Sequence, residues 1–172
     1  MSRCGTRSAA NGGFTLVELL IVVAIVGVLA AISVIGYNAV VRGSREQMAR
    51  ARLYQLAEIQ QSYRVGLGRR RFGTLAELRA AQTGAGPLLP ANIAPVGPDG
   101  QPAPVGGWVI NEVGAPTLDT LRSGFGFTAQ AADANNTTLY CIYEDGVARR
   151  GSSLGGTPRN APGCTRNSPP ID

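Results

Sequence analysis

The chain has 172 residues, 16 basic against 11 acidic side chains and a formal net charge of +5. That is enough for one domain and a separate helix, and short for two globular domains. Every basic residue is arginine, with no lysine or histidine, which removes the commonest general base and the commonest metal ligand; an enzyme is disfavoured, and no cofactor or metal is expected.

Residues 1–13, MSRCGTRSAANGG, are polar, carry Arg3 and Arg7, and read as a lead-in outside the folded domain. From Phe14 to Tyr37 the chain is apolar apart from hydroxyls and one charge, Glu18. A helix of about 20 apolar residues crosses a bilayer. A carboxylate costs about 2.5–3.5 kcal/mol at the centre of such a span and less toward the interface. Glu18 therefore either snorkels to water or has a partner. Arg42, Arg45, Arg50 and Arg52 follow the span, so the positive-inside count alone does not place the N-terminus in the cytoplasm.

The stretch GFTLVELLIVVAIVGVLAAI, starting at Gly13, resembles the class III signal sequence of type IV pilins and of the pseudopilins of type II secretion. The resemblance covers residues 12 to 38 closely and the helical continuation to about residue 65 more loosely. It implies that prepilin peptidase cuts between Gly13 and Phe14 and methylates the new amine of Phe14. It also implies that Glu18 draws a neighbouring subunit into a growing filament. After such a cut, an amine and a carboxylate from adjacent, axially staggered helices would neutralise each other at low dielectric and set the register of an assembly. Where many relatives have a proline in mid-helix, Ile35 stands here. Gly27, Gly36 and Gly43 are present instead, each weakening a helix by about 0.8–1 kcal/mol relative to alanine.

The cut would remove Cys4 and leave Cys141 and Cys164. A pair of cysteines in an oxidising periplasm reads as a disulfide. It would close a loop of 24 residues, stabilising the head by roughly 3 kcal/mol.

Beyond Tyr37, the absence of proline and the wealth of Ala, Leu, Arg, Gln and Glu predict one helix from about Phe14 to Val65. Its second half has two apolar patches: Val40, Met48, Ala51 and Tyr54 gather on one side, with Leu53, Leu56 and Ala57 well away from them. Such a helix can pack its own head on one patch and a neighbouring subunit on the other, or be simply buried in the domain; the wheel alone does not decide between them. Arg69-Arg70-Arg71 suggests nucleic acid or anionic lipid as partners, but without interleaved aromatics it reads rather as a solvated turn. Thr74-Leu75-Ala76-Glu77 has capping-box spacing and starts a short helix through about Ala81.

Residues 84–107 hold six Gly and six Pro in 24 positions and read as a surface loop. The G-x-G at Gly84–Gly86 lacks the strand and helix a nucleotide site needs. Strands are expected at 108–113, 124–131 and 137–144, with a return strand at 147–150 after Asp145-Gly146, a hairpin signal. The meander of about 108–150 should bury one face on the long helix, with Phe125, Phe127 and Ala129 together. The overlapping sequons at Asn135 and Asn136 read as turn residues. The tail from Gly151 is irregular and depends on Cys164 for anchorage. Asp172 is the only carboxylate after Asp145, too few for a site of six to eight oxygens.

The expected fold is thus α+β and pilin-like, a long N-terminal helix packed on a small antiparallel sheet. The expected organisation is a removed leader 1–13, a transmembrane and filament-core helix 14–37, its amphipathic continuation 38–65, and a head 66–172. The resemblance implies a structural subunit of a type IV pilus-like filament, a homo-oligomer held in the bacterial inner membrane with its head in the periplasm. From there an assembly platform would draw it to the cell surface. Membrane lipid would be its partner before assembly. A type II secretion pseudopilin or a minor pilin is the alternative within the family; a membrane-tethered binding module that never polymerises is the alternative outside it.

Overall fold

The computed structural model describes residues 14–67, 70–84, 86–114, 116–133, 136–152 and 164–171. Outside the described residues lie Gly13 and the rest of the leader, Arg69, Ala85, Asn135, residues 153–163 and Asp172. The chain divides into two units, Met1–Arg42 and Gly43–Asp172, and each is considered by itself.

Helix α1, Leu16–Gly66, begins in the first unit. Gly27 and Gly36 interrupt neither it nor any packing, since a Cβ at either would meet nothing within 4 Å. Ser33 returns its hydroxyl to Leu29 O at 2.7 Å, removing a polar group from an otherwise apolar cylinder. Leu16, Leu20, Val23, Val26 and Leu29 are all more than half exposed. By length and composition the helix can cross a membrane.

In the second unit α1 becomes one-sided. Ala49, Leu53, Leu56, Gln60 and Tyr63 are buried, and their spacing of three and four residues lays them along one stripe of a helix. Leu53 and Leu56 are at 0% exposure, whereas Tyr54 between them keeps 47%. A clamp fixes the chain leaving the helix: buried Gln60 donates through Nε2 to Gly73 O at 2.5 Å, and its Oε1 accepts from Gly73 N at 2.9 Å. A Cβ at position 73 would come within 2.9 Å of the Tyr63 ring, so the clamp closes only over glycine.

Helix α2, Leu75–Ala80, starts with the expected capping box: Glu77 N donates to Thr74 Oγ1 at 3.1 Å, and Thr74 N donates to Glu77 Oε2 at 2.9 Å. Arg71 grips the same carboxylate, its Nη2 2.6 Å from Oε1. Two short strands, β1 (Gln82–Thr83) and β2 (Gly86–Pro87), pair antiparallel across the start of the Gly/Pro-rich region. Then come β3 (Trp108–Glu112), α3 (Leu118–Ser123), β4 (Gly126–Ala131), β5 (Thr138–Tyr143) and β6 (Ala148–Ser152).

The larger sheet has the order β3-β4-β5-β6, antiparallel throughout. Its register aligns Trp108 with Ala131, Ala129 with Tyr140 and Phe127 with Ile142. Period-two alternation then places Trp108, Ile110, Phe127, Ala129, Tyr140 and Ile142 on one face. That face joins Leu53, Leu56, Leu75, Leu78 and Leu121 in the main core, with Trp108 and Tyr140 ring centroids 5.3 Å apart. Asp145-Gly146 makes the β5–β6 turn as expected: Gly146 has φ +71°, and Asp145 Oδ1 accepts from Val147 N at 3.0 Å.

Three features depart from the sequence expectation. Helix α3 lies between the strands expected at 108–113 and 124–131, where the sequence suggests no element; its cap is Thr117, with Thr120 in place of the usual Glu or Gln. The sheet's second face is buried as well, with Thr128 at 3% and Gln130 at 9% exposure beside a small cluster of Leu139, Cys141, Tyr143 and Cys164. Finally, the tail is laced to the sheet edge. Arg150 N donates to Pro169 O at 3.1 Å and Ile171 N to Ala148 O at 3.0 Å, which covers part of the open edge of β6.

Candidate functional site

At the N-terminus the first fixed geometry is a second capping box. Thr15 N and Thr15 Oγ1 both donate to Glu18 Oε2, at 2.9 and 2.8 Å, while Glu18 N donates to Thr15 Oγ1 at 3.2 Å. Glu18 thus stands three residues after the cap and satisfies the first orphan donors of α1. Both bonds to its carboxylate fall on one oxygen, so Oε1 has no partner among the described residues. Phe14, directly before the cap, is 81% exposed. Thr15 is the residue that the sequence reading passed over, although T-x-x-E here has the same spacing that marked Thr74 to Glu77.

The exposed surface of α1 continues this arrangement. In the first unit Val40 keeps 71% exposure; in the second, Met48 and Tyr54 keep 40% and 47%. The residues assigned from sequence to the opposite patch, Leu53, Leu56 and Ala57, all pack on the head's core. In the second unit one patch is thus occupied within the chain, while Met48 and Tyr54 of the other stay partly exposed.

Cys141 on β5 and Cys164 are joined by a disulfide, with Cα atoms 6.1 Å apart. Both are nearly fully buried, and Tyr143 Oη donates to Cys164 O at 2.8 Å. The bridge ties the described end of the tail to the second face of the sheet.

Of the arginine triplet, Arg71 is held by Glu77 and Arg70 is exposed with φ +71°. A cleft of about 460 Å³ lies between α3 and the sheet, lined by Glu112, Thr120, Phe125, Tyr143 and Arg166 among others. Its two charged groups are engaged. Glu112 accepts a hydrogen bond from Leu75 N, and burial pushes its carboxyl above the usual range. Arg166 Nη2 lies 2.6 Å from Glu144 Oε1. No group of three or more His, Cys, Asp or Glu gathers among the described residues.

The fold is α+β and pilin-like, a long N-terminal helix followed by a small antiparallel sheet. Residues 8–34 match the family described as the prokaryotic N-terminal methylation motif. A segment of this kind is the class III signal peptide of type IV pilins and pseudopilins, and the match supports a pilin-like or pseudopilin precursor and implies processing by prepilin peptidase. No curated protein and no solved structure matches the chain.

Proposed function

We propose that this chain is a structural subunit of a type IV pilus-like filament, cut after Gly13, methylated on Phe14, and assembled from the inner membrane through the apolar part of α1. The observation that carries this reading is the pairing of an exposed apolar helix with a single carboxylate near its start. Thr15 supports that role by satisfying Glu18 within its own helix while the subunit is stored in lipid. A bilayer offers no water to do so. The free Oε1 is left to accept from the Phe14 amine of a neighbouring subunit. Because an ammonium and a carboxylate attract far more strongly at low dielectric than in water, that contact sets the axial register of the filament. The free side of α1 at Met48 and Tyr54 then faces other subunits, and the head forms the outer surface.

Glu18→Ala tests this in the living cell. Surface filaments are expected to disappear while the chain accumulates, cut and folded, in the membrane. Undiminished filaments would sink the assembly role, and binding activity preserved without any filament would favour a tethered binding module.

A further inference from the structure

The cleft of about 460 Å³ between α3 and the sheet lies wholly in the second unit. Glu112, half-buried at the end of β3, is the only carboxylate among its described lining residues, and Leu121, Phe125, Phe127 and Tyr143 give it apolar walls. A mostly apolar hollow with few polar groups is the usual form of a binding site. The bond from Leu75 N engages Oε1 of Glu112 alone. Its Oε2 has no hydrogen-bond or ion-pair partner among the described residues.

The arginines of the surrounding elements are committed elsewhere. Arg79 donates to Ala94 O through Nε and Nη2, at 3.3 and 3.0 Å. Arg71 is bound to Glu77 and Arg122 is paired with Asp119. Arg166 is bonded to Glu144 and lies 5.6 Å over the Tyr143 ring. Bare backbone at Gly124 lets that last pair close, since a Cβ there would meet Glu144 Oε2 at 2.6 Å and Arg166 Nη2 at 3.0 Å. The open oxygen of Glu112 is therefore left for a cation from outside the molecule.

We propose that the cleft receives an arginine side chain from a second copy of this chain, its guanidinium donating to Glu112 Oε2. The choice of occupant rests on the filament reading given above. Arginine is the only basic residue the chain has. Within the second unit Arg45, Arg70 and Arg150 are exposed, and their guanidinium groups have no hydrogen-bond, ion-pair or ring partner among the described residues. Guanidinium is more weakly hydrated than ammonium and so suits a part-dry cleft, where a charge-assisted bond to a carboxylate is strong. Copies that each carry net positive charge repel on approach. An arginine set on an open carboxylate offsets that repulsion where they meet and fixes which faces do so.

The first test uses the full chain in detergent, titrated calorimetrically with N-acetyl-arginine amide. Saturable binding is expected at pH 7, and none of the uncharged N-acetyl-glutamine amide. Burial raises the Glu112 carboxyl and a bound cation favours its ionised form, so affinity should fall from pH 7 to pH 4.5. Around it Arg79 and Arg166 stay charged, Glu77 is lowered by Arg71 and Tyr143 is raised from its already high value, which leaves Glu112 to set that slope. Glu112→Gln keeps the acceptor for Leu75 and should weaken binding about tenfold while flattening the pH profile. In the second test, filaments are sheared from cells making Glu112→Cys together with Arg45→Cys, Arg70→Cys or Arg150→Cys. A short bismaleimide should give a cross-linked dimer for one of the three pairs.

No binding of the probe, or equal binding by Glu112→Gln, would overturn the inference and leave the filament reading standing. Should that variant fail to fold, an affinity in the parent that does not fall toward pH 4.5 overturns it equally. Probe bound at Glu112 with no cross-link from any pair in intact filaments would overturn the second copy as occupant. Parent cells that make no filament would overturn the filament reading and that occupant with it, while the probe still reads the cleft.

Discussion

Leu53 and Tyr54 are adjacent in the chain and opposite in what they touch, and replacing each with alanine separates folding of the head from contact between subunits. Leu53 has 0% exposure, within the cluster that joins α1 to the sheet. Leu→Ala at such a site removes the transfer term and leaves a cavity, about 3 kcal/mol together. For a unit of this size each kcal/mol moves the melting temperature by about 4 °C, so a drop of about 12 °C is expected. Tyr54 is 47% exposed, and its loss should stay within about 0.5 kcal/mol. The assay is thermal unfolding of the full chain in detergent, followed by near-ultraviolet circular dichroism, alongside electron microscopy of filaments sheared from cells. Leu53→Ala should melt early. Tyr54→Ala should melt like the parent and give fewer or shorter filaments. Equal melting of the two variants would refute the packing assigned to α1, and normal filaments from Tyr54→Ala would refute the role given to its free side.

Two further outcomes follow from the head. Replacing both Cys141 and Cys164 by alanine should destabilise it by about 3 kcal/mol, the chain-entropy value for a bridge spanning 23 positions; denaturant unfolding checks this, and an unchanged midpoint would contradict it. Glu112, raised chiefly by burial and drawn back partly by the Leu75 N–H and by Arg79, holds its proton more tightly folded than unfolded. Its contribution to stability is complete below the unfolded carboxyl value and is lost as pH rises through the folded one. Glu112→Gln keeps an acceptor for Leu75 without titrating, so parent minus variant melting temperature should decline from pH 4 to pH 7. A rise over that range would contradict the assignment. Asp145 runs the other way, because the hydrogen bond from Arg149 lowers its carboxyl.

What the sequence reveals here depends on how local the cause is. The apolar run, the Thr74 cap and the Asp145-Gly146 turn are each fixed by residues a few positions apart, and they stand where a reading of the chain puts them. Gln60 could not be read in this way: an amide on a helix looks like surface, and its burial follows from a clamp onto Gly73, 13 residues away. Thr128 and Gln130 alternate with Phe127, Ala129 and Ala131 like the wet side of a sheet, yet both are buried. Helix α3 was obscured because Thr120 supplies the reciprocal capping contact normally given by Glu. The tail looks irregular because Pro169 and Pro170 have no N–H to give a ladder, but the edge contact at Pro169 needs only its carbonyl. At the N-terminus, Glu18 was legible through its isolation among apolar residues, whereas the part of Thr15 was overshadowed by that charge.

The most direct test of the central claim is the intact mass and N-terminal fragmentation of protein sheared from the cell surface, compared with protein extracted from membranes. A surface form beginning at methylated Phe14, two hydrogens lighter than the reduced chain because Cys141 and Cys164 are bonded, is the predicted result. A chain that keeps its first 13 residues and occurs only in membranes would contradict it.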